Sequence, residues 1–169
     1  MRHSIIIAMG TNDGIGNIER AKASLAELFS DIVVSPTIPT EPLGSSFQGS
    51  QFYNAIARCT TEMDSGTLIA TLKDEERALG DRASLRQRGV VVLDLDLLKY
   101  DGQKFHDTDW ERTYIKQLLK TIQTADTAKR KQHETSNNLN TALPWLRHGI
   151  RTNNNDTVSG EFPRLHTPD

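Results

Sequence analysis

Hydrophobic and polar positions along the chain follow two alternating periods, and the changes of period mark out its elements. Ser4 to Met9 is a short β-branched run that ends at Gly10-Thr11-Asn12-Asp13-Gly14, which predicts a buried strand followed by a turn. Ile18, Ala21, Leu25, Leu28 and Phe29 then recur at three- and four-residue spacing. They share one face of a helix from about Gly16 to Phe29, with Asn12 or Asn17 as its cap. Ile32 to Ser35 reads as a second strand, after which Pro36, Pro39 and Pro42 force an extended connection. Ser45 to Ser50, with Gly44 and Gly49, reads as a loop. In the third strand, Phe52 to Thr60, one face carries Phe52, Asn54, Ile56, Arg58 and Thr60, and the other carries Tyr53, Ala55, Ala57 and Cys59. Leu68, Ile69, Leu72 and Leu79 define a second amphipathic helix, with Asp64 or Ser65 as N-cap and Gly80 as its stop. Asp81 to Gly89 holds Arg82, Arg86 and Arg88 with few apolar residues and reads as an exposed, mobile basic loop. Val90 to Leu98 is the fourth strand, with Tyr100-Asp101-Gly102 as its exit turn.

The order strand, helix, strand, strand, helix, strand predicts an α+β domain with a ferredoxin-like βαββαβ arrangement and an antiparallel sheet. Two helices cover one face of that sheet and leave the other free for a site. Tyr114, Ile115, Leu118 and Leu119 predict a C-terminal helix from Trp110 to about Leu119. Beyond Lys120 the chain turns to Thr, Gln, Asn, Lys and Asp and has little to bury apart from Leu143 to Leu146. The expected organisation is therefore a domain over 1–119 and a polar tail over 120–169 that is largely disordered.

Composition narrows the function classes. At 169 residues, with a formal charge of −2, the chain has no basic field for nucleic acid. Cys59 stands alone, which rules out a disulfide framework within the chain and fits a reducing compartment; its own role is that of a small buried hydrophobe. No apolar run approaches the roughly 20 residues of a membrane span, and Ile5 to Met9 is too short for a signal peptide. A cytoplasmic protein, monomeric and without membrane or nucleic-acid partners, is the expectation.

The fourth strand carries the chemistry. Asp94 and Asp96 point to the same side of it, with Cβ atoms roughly 6 to 7 Å apart. Two like charges on an apolar strand call for a cation between them, most simply Mg2+ bridging a polyphosphate; the alternative is an edge strand with one wet face. Glu76 lies on the apolar stripe of the second helix, either at its solvated edge or aimed at a site beyond the helix end. Asn54 shares a strand face with Phe52, which suits a ligand pocket better than a core. Gly10-Thr11-Asn12 is as well explained by turn and cap chemistry as by phosphate binding. No nucleophilic triad and no zinc-ligand spacing is present.

Together, Gly10-Thr11-Asn12, Thr40-Glu41-Pro42-Leu43-Gly44, Phe52-Tyr53-Asn54-Ala55, Glu76-Arg77-Ala78-Leu79-Gly80 and Leu93-Asp94-Leu95-Asp96-Leu97-Leu98 resemble, in type and order, the 6-hydroxymethyl-7,8-dihydropterin pyrophosphokinase family over about residues 4–119. The resemblance implies transfer of pyrophosphate from ATP to the pterin hydroxymethyl oxygen, giving AMP, in folate biosynthesis. It implies that Asp94 and Asp96 hold two Mg2+ ions. Thr40, Leu43, Phe52, Asn54 and Tyr114 would take the pterin, and Lys73, Glu76, His106 and Arg112 would take ATP. Of the catalytic loop, Arg82 and Arg88 are the expected contributors. The chain also departs from the family pattern. Val91 stands where an arginine is usual, Arg88 where a tryptophan is usual, and Asp81 and Ala83 where loop arginines are usual, with Arg82, Arg86 and Arg88 near enough to substitute. A catalytically impaired relative that binds nucleotide or pterin is the alternative function. A different nucleotidyl- or phosphoryl-transferase with the same paired acids is a third.

Overall fold

The central strand of the sheet is the β-branched run near the N-terminus, which has a strand paired on each edge and completely buries Ile5 and Ile7 on one face. The computed structural model describes residues 1–42 and 51–124. In chain order these form β1 (His3–Thr11), α1 (Gly16–Leu28), β2 (Val33–Val34), β3 (Ile38–Thr40), β4 (Phe52–Thr61), α2 (Ser65–Ala78), α3 (Ala83–Arg86), β5 (Asp94–Tyr100), β6 (Gln103–Lys104) and α4 (Asp107–Trp110), with residues 113–124 helical (α5). The strands run in the order β2-β4-β1-β5-β6, with β3 also on β4, and every pairing is antiparallel. β1 thus lies between β4 and β5, and β4 between β1 and β2, as the split βαβ arrangement requires. These residues all belong to one unit, Met1–Arg130.

The two faces of the sheet are buried by different helices. On one, α1 and α2 bring Ile18, Ala21, Leu25, Leu68 and Leu72 onto Ile5, Ile7, Met9, Ala55, Ala57, Cys59, Leu95 and Leu97. Burial there pushes the Cys59 thiol up to about 12, so it behaves as an inert apolar group. On the other, α5 packs Ile115, Leu118 and Ile122 onto Ile56 and Leu98. Leu97 and Leu98 are both buried because each faces a covered side, and a register shift between Ile6 and Ile7 lies opposite them.

Several expectations are corrected. The second face is not left open along its length, since α5 closes the half that bears Ile56 and Leu98. The C-terminal helix is broken at 111–112 into α4 and α5, and α5 extends beyond the expected Leu119, with residues up to 124 helical and Ile122 buried. Strand β5 starts at Asp94; Val90 to Leu93 precede it as irregular chain, although Val91, Val92 and Leu93 are buried. Neither Asn12 nor Asn17 caps α1: Ile15 holds that position with no side-chain bond, and Asn12 instead accepts from Val91 N at 2.7 Å and donates to Gly89 O at 2.7 Å. Asp64 does cap α2, accepting from Thr67 N at 3.0 Å, and Gly80 ends it with a φ of 112° that a side chain would resist. The expected tail from 125 onward, and Leu43, lie outside the described residues.

Candidate active site

The site is set by a row of facing residues across the three central strands. Gly10 on β1 pairs with Asn54 on β4 and with Asp94 on β5, and Ala8 pairs with Ile56 and Asp96. Facing residues of antiparallel strands point to the same side, so Asn54, Asp94 and Asp96 rise from a floor that Gly10 and Ala8 keep low. A Cβ on Gly10 would stand 3.2 Å from Asn54 Oδ1, tighter than an ordinary contact. The missing side chain is therefore what opens the floor here.

Above this floor lies a cleft of about 240 Å³ lined by Thr40, Phe52, Asn54 and Tyr114 together with Arg86, Asp94, Asp96 and Arg112. Ala8, Met9, Gly10, Glu41, Val91, Asp109 and Ile115 complete the wall. Asn54 Nδ2 donates to Thr40 Oγ1 at 2.7 Å, which fixes the amide orientation and turns its carbonyl oxygen towards Gly10. Arg112 donates to Tyr114 O–H at 2.9 Å and pairs with Asp109 at 2.8 Å, so its guanidinium is held at the cleft wall.

Beneath the acidic pair lies a network of charges. Lys73 Nζ stands 3.6 Å from a carboxylate oxygen of Asp94, 3.6 Å from one of Asp96 and 2.6 Å from Glu76 Oε1. Glu76 is buried, and the same Oε1 accepts the Leu95 N–H at 2.6 Å, tying α2 to β5 between the two aspartates. Arg86 Nη2 donates to Asp94 Oδ1 at 3.1 Å and to Leu93 O at 2.9 Å, and its Nε donates to Asp81 Oδ2 at 2.6 Å. Burial and the neighbouring charge of Asp94 raise the Asp96 pKa, against Lys73 and His106. Burial raises that of Glu76 as well, outweighing its bonds to Lys73 and Leu95. For Lys73, burial opposes the charge, but Glu76, Asp94 and Asp96 more than offset it and the net shift is upward.

Among the described residues no group of three or more His, Cys, Asp or Glu forms a ready-made metal cage. Asp94 and Asp96 nevertheless fit Mg2+, which is commonly bound through one or two carboxylates together with substrate phosphates. Their mutual repulsion, already met in part by Lys73, is what a divalent cation would relieve.

The expected site residues divide by where the fold puts them. Thr40, Phe52, Asn54, Tyr114, Arg112, Asp94 and Asp96 line one cleft. Lys73 and Glu76 lie behind the acidic pair, with Glu76 acting as an internal anchor. His106 is exposed, with a left-handed φ of 55°, near enough to Asp96 to influence its charge. Arg82 turns away from the cleft and donates to the Arg77 and Asp81 carbonyls, while Arg88 is exposed; neither lines the wall. Arg86 does line it; the stretch expected as a basic loop is exposed at Arg82, Ala83, Ser84, Gln87 and Arg88, as expected, but is tied by hydrogen bonds at Asp81, Arg86 and Gly89. Asp81 is buried there, and α3 forms one turn of helix. The sequence reading missed Gly10 and Ala8 as the floor, although small residues two apart on a strand signal a face kept low.

Two comparisons bear on this geometry. The family model for 7,8-dihydro-6-hydroxymethylpterin-pyrophosphokinase matches residues 6–145. Comparison with curated proteins gives no match.

Proposed function

The chain belongs to the 7,8-dihydro-6-hydroxymethylpterin-pyrophosphokinase family, and from that premise we propose that it transfers pyrophosphate from ATP to 6-hydroxymethyl-7,8-dihydropterin. The observation that carries this reading is the single cleft in which an amide flanked by aromatics, Asn54 with Phe52 and Tyr114, meets a carboxylate pair, Asp94 with Asp96. Asn54 hydrogen-bonds the polar edge of the pterin, and Phe52 and Tyr114 stack on its ring. Thr40 orients Asn54 through the bond described above. Arg112, with Lys73 behind the acids, supplies positive charge for the nucleotide, and His106 offers a ring nitrogen for a hydrogen bond.

The pterin hydroxymethyl oxygen forms a bond to the β-phosphorus of ATP as the bond to the oxygen bridging the α- and β-phosphorus breaks. AMP leaves with that oxygen, and the hydroxyl proton passes to solvent. Asp94 and Asp96 would hold two Mg2+ ions, which supply charge neutralisation at the phosphate oxygens. The rest of the work is positioning: a floor emptied at Gly10 and two substrates held in one cleft. We place the protein in the cytoplasm as a monomer acting on small molecules. No helix among the described residues is long and apolar enough to cross a membrane.

Val91 in the cleft wall, where the resemblance leads one to expect an arginine, favours a second reading: a relative that binds nucleotide or pterin without turnover. AMP release from ATP, Mg2+ and the reduced hydroxymethylpterin separates the two. Pterin-dependent AMP that disappears in Asp96→Ala supports transfer. Pterin binding with no AMP supports the binding module, and binding of neither ligand overturns both.

A further inference from the structure

The cleft has an arginine outside the expected pair Arg82 and Arg88, and it is held by hydrogen bonds at both Nε and Nη2. Arg86 lies on the single turn α3 and is only partly exposed, at 36% of its side chain. Its Nη2 lies 3.1 Å from Asp94 Oδ1 and 3.6 Å from Glu76 Oε2, beside the carboxylate pair. Its Nε is bonded to Asp81, whose second oxygen accepts the Val92 N–H at 3.2 Å, so one buried carboxylate ties both the arginine and the chain entering β5. Asn12 holds the same segment from the other side, through Gly89 O and Val91 N. Gly89, with φ of 77°, lets the chain double back between these ties. The described bonds use Nε and Nη2, so the guanidinium is fixed without being enclosed.

We propose that Arg86 contacts the polyphosphate of the nucleotide beside Asp94, and that Asp81 is the residue that positions it. This rests on the reading above that the cleft takes ATP. A guanidinium at the edge of a carboxylate site, held by a separate acid, is preorganised for phosphate oxygens and need not be reordered when they arrive. Val91 contributes no charge to the wall, so the cation on this side comes from the α3 turn, five residues earlier in the chain. Arg82 bonds main-chain carbonyls outside the cleft and Arg88 is exposed, so neither takes this place.

Calorimetric binding of α,β-methylene-ATP, which cannot release AMP, tests the assignment independently of turnover. Arg86→Gln should weaken the analogue by about tenfold or more and leave pterin affinity unchanged, while kcat falls by about 100-fold. Arg86→Lys, which keeps a charge but not the fork, should fall between. Arg77→Gln, which removes the same charge from the exposed face of α2, should leave the analogue affinity unchanged. Asp81→Asn should weaken the analogue less than Arg86→Gln, and this effect should vanish in the double variant if Asp81 acts through Arg86. Unchanged analogue affinity in both Arg86 variants, whether or not melting temperature falls, overturns the proposal and leaves the transfer reading standing. If the wild-type protein binds no analogue, both fall. If it binds the analogue but makes no AMP, only the transfer reading falls, and the Arg86 comparison still decides this one.

Discussion

Replacing Glu76 separates anchoring from charge at the centre of the site. Its Oε1 accepts the Leu95 N–H and is paired with Lys73, all below the surface on which Asp94 and Asp96 stand. Glu76→Ala leaves the Leu95 amide without its partner in a position water does not reach, a loss of about 1 to 3 kcal/mol. It also removes one buried methylene, worth about 0.8 kcal/mol. The expected cost is therefore about 2 to 4 kcal/mol. Glu76→Gln keeps an oxygen for the Leu95 N–H. Because burial already raises the carboxyl pKa despite Lys73, little stability rides on the negative charge, and Gln should cost less than about 1 kcal/mol. Urea denaturation at neutral pH, read at unchanged m-value, measures both. Equal losses in the two variants, or an Ala variant as stable as the wild type, would refute the view that Glu76 anchors β5 through its oxygen. Loss of nucleotide binding in a stable Gln variant would instead point to direct contact with ATP.

The remaining predictions address capping, core and floor. Ile122→Ala, at a side chain 3% exposed against Ile56 and Leu98, should cost about 2 to 3 kcal/mol in urea denaturation. A chain ending at Lys120 should lose at least as much; an unchanged midpoint in either would show that α5 does not cover the second face. The Thr67 N–H and hydroxyl hold the Asp64 carboxyl below its ordinary value of 3.8, so its contribution is complete above that pH and is lost as pH falls through the lowered pKa. Asp64→Ala should accordingly lower the melting temperature at pH 7 and approach the wild type in acid; a gap that widens in acid would contradict the cap. Gly10→Ala should weaken pterin binding by about tenfold, the scale of one hydrogen bond, while melting temperature barely moves. Unaltered pterin affinity in that variant would mean that Asn54 does not need the space above Gly10.

What could be read from the chain follows from local periodicity. The run Ser4 to Met9, the stripes beginning Ile18-Ala21-Leu25 and Leu68-Leu72, and the alternation in Phe52 to Thr60 each state their own secondary structure, and all four elements appear as expected, although Leu28 and Ile69, expected on the buried stripes, are exposed. Their order is enough to specify the split βαβ sheet, since few topologies accommodate it. The two-residue spacing of Asp94 and Asp96 likewise fixes that they share a face. Asn54 and Phe52 stand out because an amide on a strand face needs a partner.

Other features depend on residues far apart in sequence. Asn12 looks like a cap, but its partners are Gly89 and Val91, which local spacing cannot reveal. Asp81 to Gly89 looks like solvent-exposed loop because it is rich in charge. Burial of Asp81 depends on meeting both Val92 N–H and Arg86, and that selects Arg86 over Arg82 and Arg88 for the cleft. Gly10 reads as the start of a turn until antiparallel register sets it between Asn54 and Asp94. The longer elements β1, α1, β4 and α2, their order and the sidedness of the acidic pair were legible because repeat distances within one segment set them. Which arginine faces that pair, which residues form the floor and how far α5 covers the second face are contacts between segments, and periodicity leaves each of them free.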